Sequence, residues 1–247
     1  MWIPRWLGEI YAKLFLTFET ELFTVSQARE VLDLPVGRLN VAFSQLHSKR
    51  TLTIFKRSRP RVYRLLDPTD FIFLASEKVQ NLEKLKQERY LPLILKALRE
   101  TLKRFHVQSF ALYGSVARGT AKDLSDIDIL IISEDLQGSM GSRIEQLFHI
   151  DKAVEEELRW LRKQGIHTAL NFYPLKPSEA ERPPRLFLDL TEDAIILYDE
   201  DHFLERLLIE LKAKLLKQGA TRIYLDQERW YWDLKPNYKF GEKIEVP

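Results

Sequence analysis

Two short motifs that lie close together in the chain could bind a phosphate and a metal ion. Gly114-Ser115 follows an apolar run, and ten residues separate Ser115 from Asp126-Ile127-Asp128, which opens a second apolar run. Residues two apart on a strand face the same side, so the carboxylates of Asp126 and Asp128 can converge on one cation. A Gly-Ser turn that ends a strand and opens a helix exposes backbone N–H groups that suit a phosphate. Together, the motifs predict chemistry on a nucleoside triphosphate.

The pattern Gly-Ser, ten residues, Asp-x-Asp resembles the nucleotidyltransferase superfamily of the DNA polymerase β type, particularly its minimal archaeal and bacterial members. In that family the Gly-Ser turn holds the triphosphate, and the two carboxylates bind divalent ions. The resemblance implies that Gly114 and Ser115 bind nucleotide. It also implies that Asp126 and Asp128 are catalytic and ligate Mg²⁺ or Mn²⁺. Arg118, which lies between the two motifs, is a further candidate for contact with the triphosphate.

Members of this superfamily usually carry a third carboxylate on a later strand. The matching strand in this sequence is the run 166–173, where the residue in register is Asn171. An asparagine can ligate magnesium but cannot act as a base, and His167 is an alternative base. Asp189 and Asp193 fit the spacing poorly. Three readings stay open: slower chemistry, a different metal arrangement, or a site that only binds nucleotide.

The order of elements after Pro92 predicts an α/β domain, in detail an α+β fold with a mixed sheet, as in polymerase-β-like nucleotidyltransferases. We expect helices at 92–105, 142–164 and 202–218, strands at 107–113, 127–133, 166–173 and 194–198, and a terminal hairpin within 221–236. The aromatic run Trp230-Tyr231-Trp232 could stack on a nucleotide base, but we expect it to pack on the sheet or on a helix. Lys235 and Lys239 could border an acceptor site.

The first 67 residues resemble a winged helix-turn-helix domain in the order of their elements and in their charge. We expect helices at 6–18, 26–34 (with Ser26 as its N-cap) and 35–50, a short strand at 22–25, and strands at 51–56 and 61–66. The predicted organisation is therefore a winged helix-turn-helix domain at 1–67, a helical linker at 68–91, and a nucleotidyltransferase domain at 92–247.

The linker carries leucines near helical spacing, at Leu74, Leu82 and Leu85. A helix with such a stripe buries it against another element. Two partners stay open from the sequence, namely the rest of this chain or a second copy in a homodimer.

Positive charge is concentrated in the amino-terminal region. Eight Lys or Arg residues and no Asp or Glu lie between positions 38 and 64, namely Arg38, Lys49, Arg50, Lys56, Arg57, Arg59, Arg61 and Arg64. The formal net charge of the whole chain is only +2, so this concentration of positive charge is local. A local patch of positive charge favours a polyanionic partner. We expect nucleic-acid contacts from Arg38, Lys49, Arg57 and Arg59. The alternative is a protein-binding module whose basic face is merely solvated.

Composition excludes some classes and leaves two functions in competition. The chain has no cysteine, which excludes disulfides and thiolate metal sites and fits a cytoplasmic location. The apolar start is interrupted by Arg5, Glu9 and Lys13, which argues against a membrane span. The leading hypothesis is transfer of a nucleoside monophosphate to a hydroxyl of a protein, an RNA or a small molecule. The competing hypothesis is a non-catalytic DNA-binding regulator or antitoxin-like protein that uses the fold as a nucleotide sensor.

Overall fold

The computed structural model describes residues 3–226 and 229–236. The amino-terminal module, residues 3–65, folds around a core of its own, whose fully buried side chains include Leu7, Phe23 and Leu46. Its elements are α1 (Arg5–Phe18), α2 (Val25–Val31), α3 (Val36–Ser48), β1 (Leu52–Lys56) and β2 (Val62–Leu65). The two strands form an antiparallel hairpin, as the sequence predicts.

Two predictions for the start of α2 are wrong. The predicted strand at 22–25 is reduced to a single bridge between Phe23 and Tyr63. The N-cap is Thr24 and not Ser26, because the Thr24 side chain accepts a hydrogen bond from the backbone N–H of Gln27 while the Gln27 side chain accepts one from the Thr24 backbone. This reciprocal pair satisfies N–H groups that the first helical turn leaves without partners.

The segment after the hairpin is less helical than the sequence predicts. Helix α4 (Pro68–Ala75) ends early, two single 3₁₀ turns follow at Leu82–Lys84 and Glu88–Tyr90, and α5 (Leu91–Arg104) begins the next long helix. Positive φ values at Glu77 and Asn81 are incompatible with a continuous helix. The predicted continuous helix is therefore wrong, but its leucines do pack within this chain, because Leu74 and Leu85 are buried in the core beside α5 and Leu82 packs against it.

The rest of the chain forms a mixed α+β fold around a four-stranded sheet. The elements are β3 (Val107–Tyr113), α6 (Gly114–Arg118), β4 (Ile127–Ser133), α7 (Met140–Lys163), β5 (Leu170–Leu175), α8 (Pro177–Ala180), α9 (Leu186–Asp193), β6 (Ile195–Asp199), α10 (Phe203–Gln218), β7 (Thr221–Tyr224) and β8 (Trp230–Asp233). The strand order is β5-β4-β3-β6, with β4 and β5 parallel and the other pairs antiparallel. Strand β5 starts four residues later than predicted, after a loop in which His167 N–H bonds to Asp123 O.

Both faces of this sheet are covered by helices, which explains why residues 110–113 of β3 and 129–132 of β4 are continuously apolar. Ile129 and Ile131 of β4 face a core shared with α5 and α7. Leu130 and Ile132 alternate with them and face a second core shared with α9 and α10. Asp128 belongs by alternation to the side of α9 and α10. Within the described residues, no helix combines the length and apolarity needed to cross a membrane.

Arg64 does not belong to the predicted basic surface, because it is buried. Its guanidinium is buried, pairs with both carboxylate oxygens of Glu157 on α7 (Nη2 to Oε2 is 2.8 Å), and lies 3.5 Å from the ring centroid of Trp160. Its Nε donates to the backbone oxygen of Thr20. Arg64 therefore joins the amino-terminal module to α7 and is excluded from any nucleic-acid surface.

Replacing Arg64 with Met should lower the free energy of unfolding by about 3 kcal/mol, because breaking a buried ion pair leaves Glu157 without compensation. The measurement is urea denaturation of the full chain. Arg59→Met is the matched control, because Arg59 is exposed and should tolerate the change within about 0.5 kcal/mol. Equal effects of the two substitutions would contradict the assigned role of Arg64.

Candidate nucleotide and metal site

The centre of the site is a close approach between a glycine and a carboxylate. Pairing of β3 with β4 puts Tyr113 opposite Asp128, and the next residue, Gly114, turns into α6 with a φ of 68°. A Cβ at Gly114 would overlap Oδ2 of Asp128 and would lie 3.3 Å from the Asp128 Cβ. Gly114 is required twice, once for its left-handed backbone and once for the space that the carboxylate fills.

In each of the two aspartates, one carboxylate oxygen accepts a hydrogen bond. Asp126 is exposed, and its Oδ1 accepts a hydrogen bond of 3.1 Å from the backbone N–H of Ala169. Asp128 is half-buried, and its Oδ1 accepts one of 2.8 Å from Nδ2 of Asn171. The second oxygens, Oδ2 in both residues, accept no hydrogen bond from the described part of the chain. These two oxygens can therefore take a ligand.

The electrostatic environment of Asp128 disfavours its charged form. Burial raises the pKa of the Asp128 carboxyl, the hydrogen bond from Asn171 lowers it, and the charge of Asp126 raises it again. The charge of Arg118 lowers the pKa slightly. The net direction is upward, as expected of a carboxylate that lacks a strong cationic partner.

The donor set fits a magnesium-type ion that binds together with a substrate. Within residues 3–226 and 229–236, no cluster of three or more His, Cys, Asp or Glu side chains could hold a metal ion by itself. Mg²⁺ is typically held by one or two carboxylates, with substrate phosphates and water in its remaining positions. Asp126 and Asp128 supply two such carboxylates.

Asn171 occupies the position on β5 that the sequence assigns to it. The parallel pairing of β4 and β5 places Asn171 directly beside Asp128. His167 lies before β5 and is exposed. Asp189 and Asp193 are engaged elsewhere, because Asp193 Oδ2 accepts a 2.7 Å hydrogen bond from Arg222 and Asp189 Oδ1 accepts bonds from two indole N–H groups. Neither therefore stands in for a third carboxylate.

Arg118 reaches the same side of the sheet and is held by the carboxy-terminal hairpin. Its Nη1 lies 3.6 Å from Oδ2 of Asp193, and its guanidinium lies 4.6 Å from the ring centroid of Trp230. Arg222 shares both partners, at 2.7 Å from Asp193 and 4.0 Å from the Trp230 ring. Sequence reasoning missed this arrangement, because residues so far apart along the chain leave no local signal of contact.

The aromatic hairpin packs on α9, as predicted. Nε1 of Trp230 and Nε1 of Trp232 donate to the same oxygen, Oδ1 of Asp189, at 2.8 and 3.0 Å. Indole N–H groups in half-buried positions usually find such partners. Lys239, a candidate for the border of an acceptor site, lies outside the described residues.

The four candidates for nucleic-acid contact lie on the amino-terminal module. Arg57 and Arg59 are exposed near the tip of the β1–β2 hairpin. Arg38 is exposed on α3, with its guanidinium 5.8 Å from the Trp6 ring, and Lys49 is half-buried at the end of α3. All four are separate from the Gly114–Asp128 site in the chain.

Comparison with known proteins identifies the family. A family model described as a nucleotidyltransferase domain matches residues 93–182. A protein of Methanocaldococcus jannaschii named "Putative protein adenylyltransferase" is 33% identical over 76 residues, which are 30% of this chain and 76% of that protein. This chain belongs to the nucleotidyltransferase domain family. Nucleotidyltransferases generally use divalent metal ions, and the family supports transfer of a nucleoside monophosphate as the general activity.

A second curated relative and a solved structure are also similar to this chain. A second "Putative protein adenylyltransferase" of the same archaeon is 27% identical over 121 residues, covering 49% of this chain and 77% of that protein. A solved toxin–antitoxin structure with AMP-PNP is 17% identical and covers 51% of this chain and 90% of its own, with a TM-score of 0.32. A TM-score this low supports no inference about function.

Replacing Gly114 with Ala should displace Asp128 and reduce affinity for Mg·ATP by about tenfold or more, because one charge-assisted contact is worth about 1.5–3 kcal/mol. Titration with a fluorescent ATP analogue and Mg²⁺ measures the change. Gly8→Ala in α1 is the control, because the nearest atom to its new Cβ is a flexible Ile3 side chain at 3.6 Å. Wild-type affinity in Gly114→Ala would remove this glycine from the site.

Proposed function

We propose that this protein is a metal-dependent nucleotidyltransferase that transfers a nucleoside monophosphate from a nucleoside triphosphate to an acceptor hydroxyl. The observation that carries the proposal is the packing of the Gly114 turn against Asp128, with Asp126 two residues away. The acceptor oxygen bonds to the α-phosphorus, the bond from that phosphorus to the α–β bridging oxygen breaks, and pyrophosphate and a proton are released.

Asp126 and Asp128 would hold the metal, and Mg²⁺ or Mn²⁺ suits carboxylate ligands. The bound ion supplies compensation for negative charge on the transferring phosphoryl group. Hydrogen bonds from Ala169 and Asn171 fix the other carboxylate oxygens, so that both side chains are oriented before the substrate arrives.

Gly114, Ser115 and Arg118 bind the triphosphate. The backbone N–H groups of Gly114 and Ser115 lie at the start of α6, in the turn that Gly114 makes beside Asp128. Arg118 adds a positive charge from the last turn of the same helix. Asp193 and Trp230 hold its guanidinium at this position, which limits the entropy that Arg118 loses when a phosphate binds.

The acceptor class that we favour is a protein hydroxyl with ATP as the donor. The support comes from the names of the two archaeal relatives, which describe protein adenylyltransferases. RNA ends and small molecules are the other acceptors that fit the same chemistry. The amide of Asn171, beside Asp128, cannot remove the proton of the acceptor hydroxyl. Another base must therefore take this proton, or the reaction is slow.

A nucleotide sensor is the second candidate function, and Asn171 favours it. A site with two carboxylates and a neutral amide can bind a metal–nucleotide complex without a base for transfer. In this case, the basic module acts as a DNA-binding regulator or antitoxin-like protein.

The amino-terminal module is proposed to be a winged helix-turn-helix domain that binds nucleic acid. Three helices, a hairpin and the Phe23–Tyr63 bridge support this assignment, as does the exposure of Arg38, Arg57 and Arg59, with Lys49 half-buried nearby. The division at 1–67, 68–91 and 92–247, the homodimer and the cytoplasmic location stay predictions of the sequence.

Transfer is tested with α-labelled ATP, Mg²⁺ or Mn²⁺, and an extract of the source cells. We expect protease-sensitive labelling by the wild type and none by Asp126→Asn/Asp128→Asn, whose amides are weaker metal ligands. Asn171→Asp should raise the labelling rate at least about tenfold, because a positioned base typically contributes more than that. Asp33→Asn, an exposed site in the amino-terminal module, should change nothing.

Labelling that survives the double substitution would remove these aspartates from catalysis. Metal-dependent ATP binding without labelling, in both wild type and Asn171→Asp, would support the sensor instead.

Nucleic-acid binding is tested by measuring duplex DNA affinity against salt concentration. For Arg57→Ala/Arg59→Ala, the slope of log affinity against log salt should become shallower by about 2, because two phosphate contacts are lost. The control Arg5→Ala/Lys13→Ala makes the same change of charge on α1 and should keep the wild-type slope. Identical slopes for all three proteins would exclude the hairpin tip from the interface.

A further inference from the structure

The segment Lys86–Tyr90, called the connector below, contacts both the nucleotide loop and the amino-terminal module. The nucleotide loop is residues 118–126, which join Arg118 to Asp126. Four residues of the connector bond to this loop, and the fifth, Glu88, points to the other module. None of these contacts belongs to the site as described above.

Gln87 fixes the middle of the nucleotide loop. Its amide nitrogen donates to the backbone oxygen of Ala121 at 2.8 Å, and its amide oxygen accepts from the backbone N–H of the same residue at 3.0 Å. One side chain thereby satisfies both polar backbone groups of Ala121. With both its N–H and its C=O bonded to one side chain, the backbone at Ala121 has little freedom to move.

The neighbouring residues hold the loop on either side of Ala121. Arg89 Nη1 donates to Oδ1 of Asp123 at 2.8 Å, and the Tyr90 hydroxyl donates to the backbone oxygen of Lys122 at 3.2 Å. At the start of the loop, the Lys86 side chain packs so closely on Gly119 that a Cβ there would lie 2.7 Å from the Lys86 Cδ. The connector therefore defines the path of the chain that delivers Asp126.

Glu88 anchors the connector on the amino-terminal module. Its carboxylate is 4% exposed, and its Oε2 accepts a 2.8 Å hydrogen bond from the backbone N–H of Ile54 in β1. His47 Nε2 lies 2.9 Å from both carboxylate oxygens, and Arg50 Nη1 lies 3.0 Å from Oε1. A buried carboxylate with these partners is costly to separate from them, so the connector follows β1 and the end of α3.

Gln87 and Glu88 are adjacent, and their Cα atoms are therefore about 3.8 Å apart. No flexible linker separates the two residues. A displacement of Glu88 at its contact with Ile54 therefore also displaces Gln87. Arg57, exposed at the hairpin, is also only 3.8 Å from Glu88 Oε1. One of the cations that are proposed to meet a nucleic-acid phosphate thus lies beside the carboxylate that anchors the connector.

We infer that Gln87 and Glu88 are positioning residues for the nucleotide site, and that Glu88 makes the geometry of this site depend on how the amino-terminal module is seated. This inference rests on the proposed function, since it concerns affinity for the metal–nucleotide complex. Glu88 touches neither nucleotide nor metal in this scheme. It acts through Gln87 and Ala121 on the loop that ends at Asp126.

Two backbone amides report on the two ends of the connector. The Ala121 N–H bonds to Gln87, and the Ile54 N–H bonds to Glu88. Amide hydrogen exchange by NMR should show Ala121 exchanging about tenfold faster in Gln87→Ala, because one protecting hydrogen bond is lost. In Glu88→Ala, both Ile54 and Ala121 should exchange faster, whereas a purely local role would change Ile54 alone and overturn the inference.

Nucleotide affinity supplies the second readout, measured with a fluorescent ATP analogue and Mg²⁺. Gln87→Ala and Glu88→Ala should both weaken binding by about tenfold or more. Glu88→Gln, which keeps an acceptor for the Ile54 N–H, should fall between Glu88→Ala and wild type. Lys84→Ala, two residues before the connector, is the matched control, because its side chain is exposed and outside these contacts. Melting temperatures confirm that each variant is folded.

The outcomes separate the two proposals. Wild-type affinity in folded Gln87→Ala and Glu88→Ala would overturn the positioning role and leave the proposed function intact. A wild type that binds no Mg·ATP would overturn the proposed function and the positioning role with it. Weaker binding in Glu88→Ala without faster exchange at Ala121 would also overturn the inference, because the effect would then bypass Gln87.

Discussion

The site depends on one steric constraint, the absence of a side chain where the backbone of Gly114 meets the carboxylate of Asp128. Pairing between β3 and β4 fixes the distance between the two, and only glycine fits the φ and the space together. Once this contact forms, α6 must begin beside the carboxylate, and Ser115 is carried with it. The turn that is proposed to bind phosphate and the aspartate that is proposed to bind metal are therefore brought together by ordinary sheet pairing.

The parallel pairing of β4 with β5 places a third polar residue beside the two aspartates. Because register is shared, whichever residue occupies position 171 lies beside Asp128. Here an amide donates a hydrogen bond to the carboxylate and stabilises its charged form, which opposes the effect of burial. A carboxylate at the same position would repel Asp128 unless a cation lay between them. Asn171 therefore avoids charge repulsion with Asp128, but its amide cannot act as a base.

Local features of the fold could be predicted from the sequence, and contacts between distant segments could not. Strands β3 and β4 are long apolar runs between clear turns, so their bounds match the prediction. Thr24 and Ser26 are both good capping residues by type, and only the geometry selects Thr24. In the same way, Gln87 has no property in the sequence that indicates its bonds to Ala121, thirty-four residues away. The Gly-Ser and Asp-x-Asp motifs were visible because both halves lie within one short stretch.

Because of the pair between Arg64 and Glu157, the isolated amino-terminal module would differ in charge from the same residues in the intact protein. In the full chain its charge is neutralised by Glu157 and covered by Trp160, both on α7. A fragment that ends before α7 would present this guanidinium to solvent beside the other cations of the hairpin. Such a fragment would carry one more uncompensated positive charge than the same residues carry in the intact protein. Its affinity for any polyanion would therefore overestimate that of the whole molecule, and its salt dependence would be steeper.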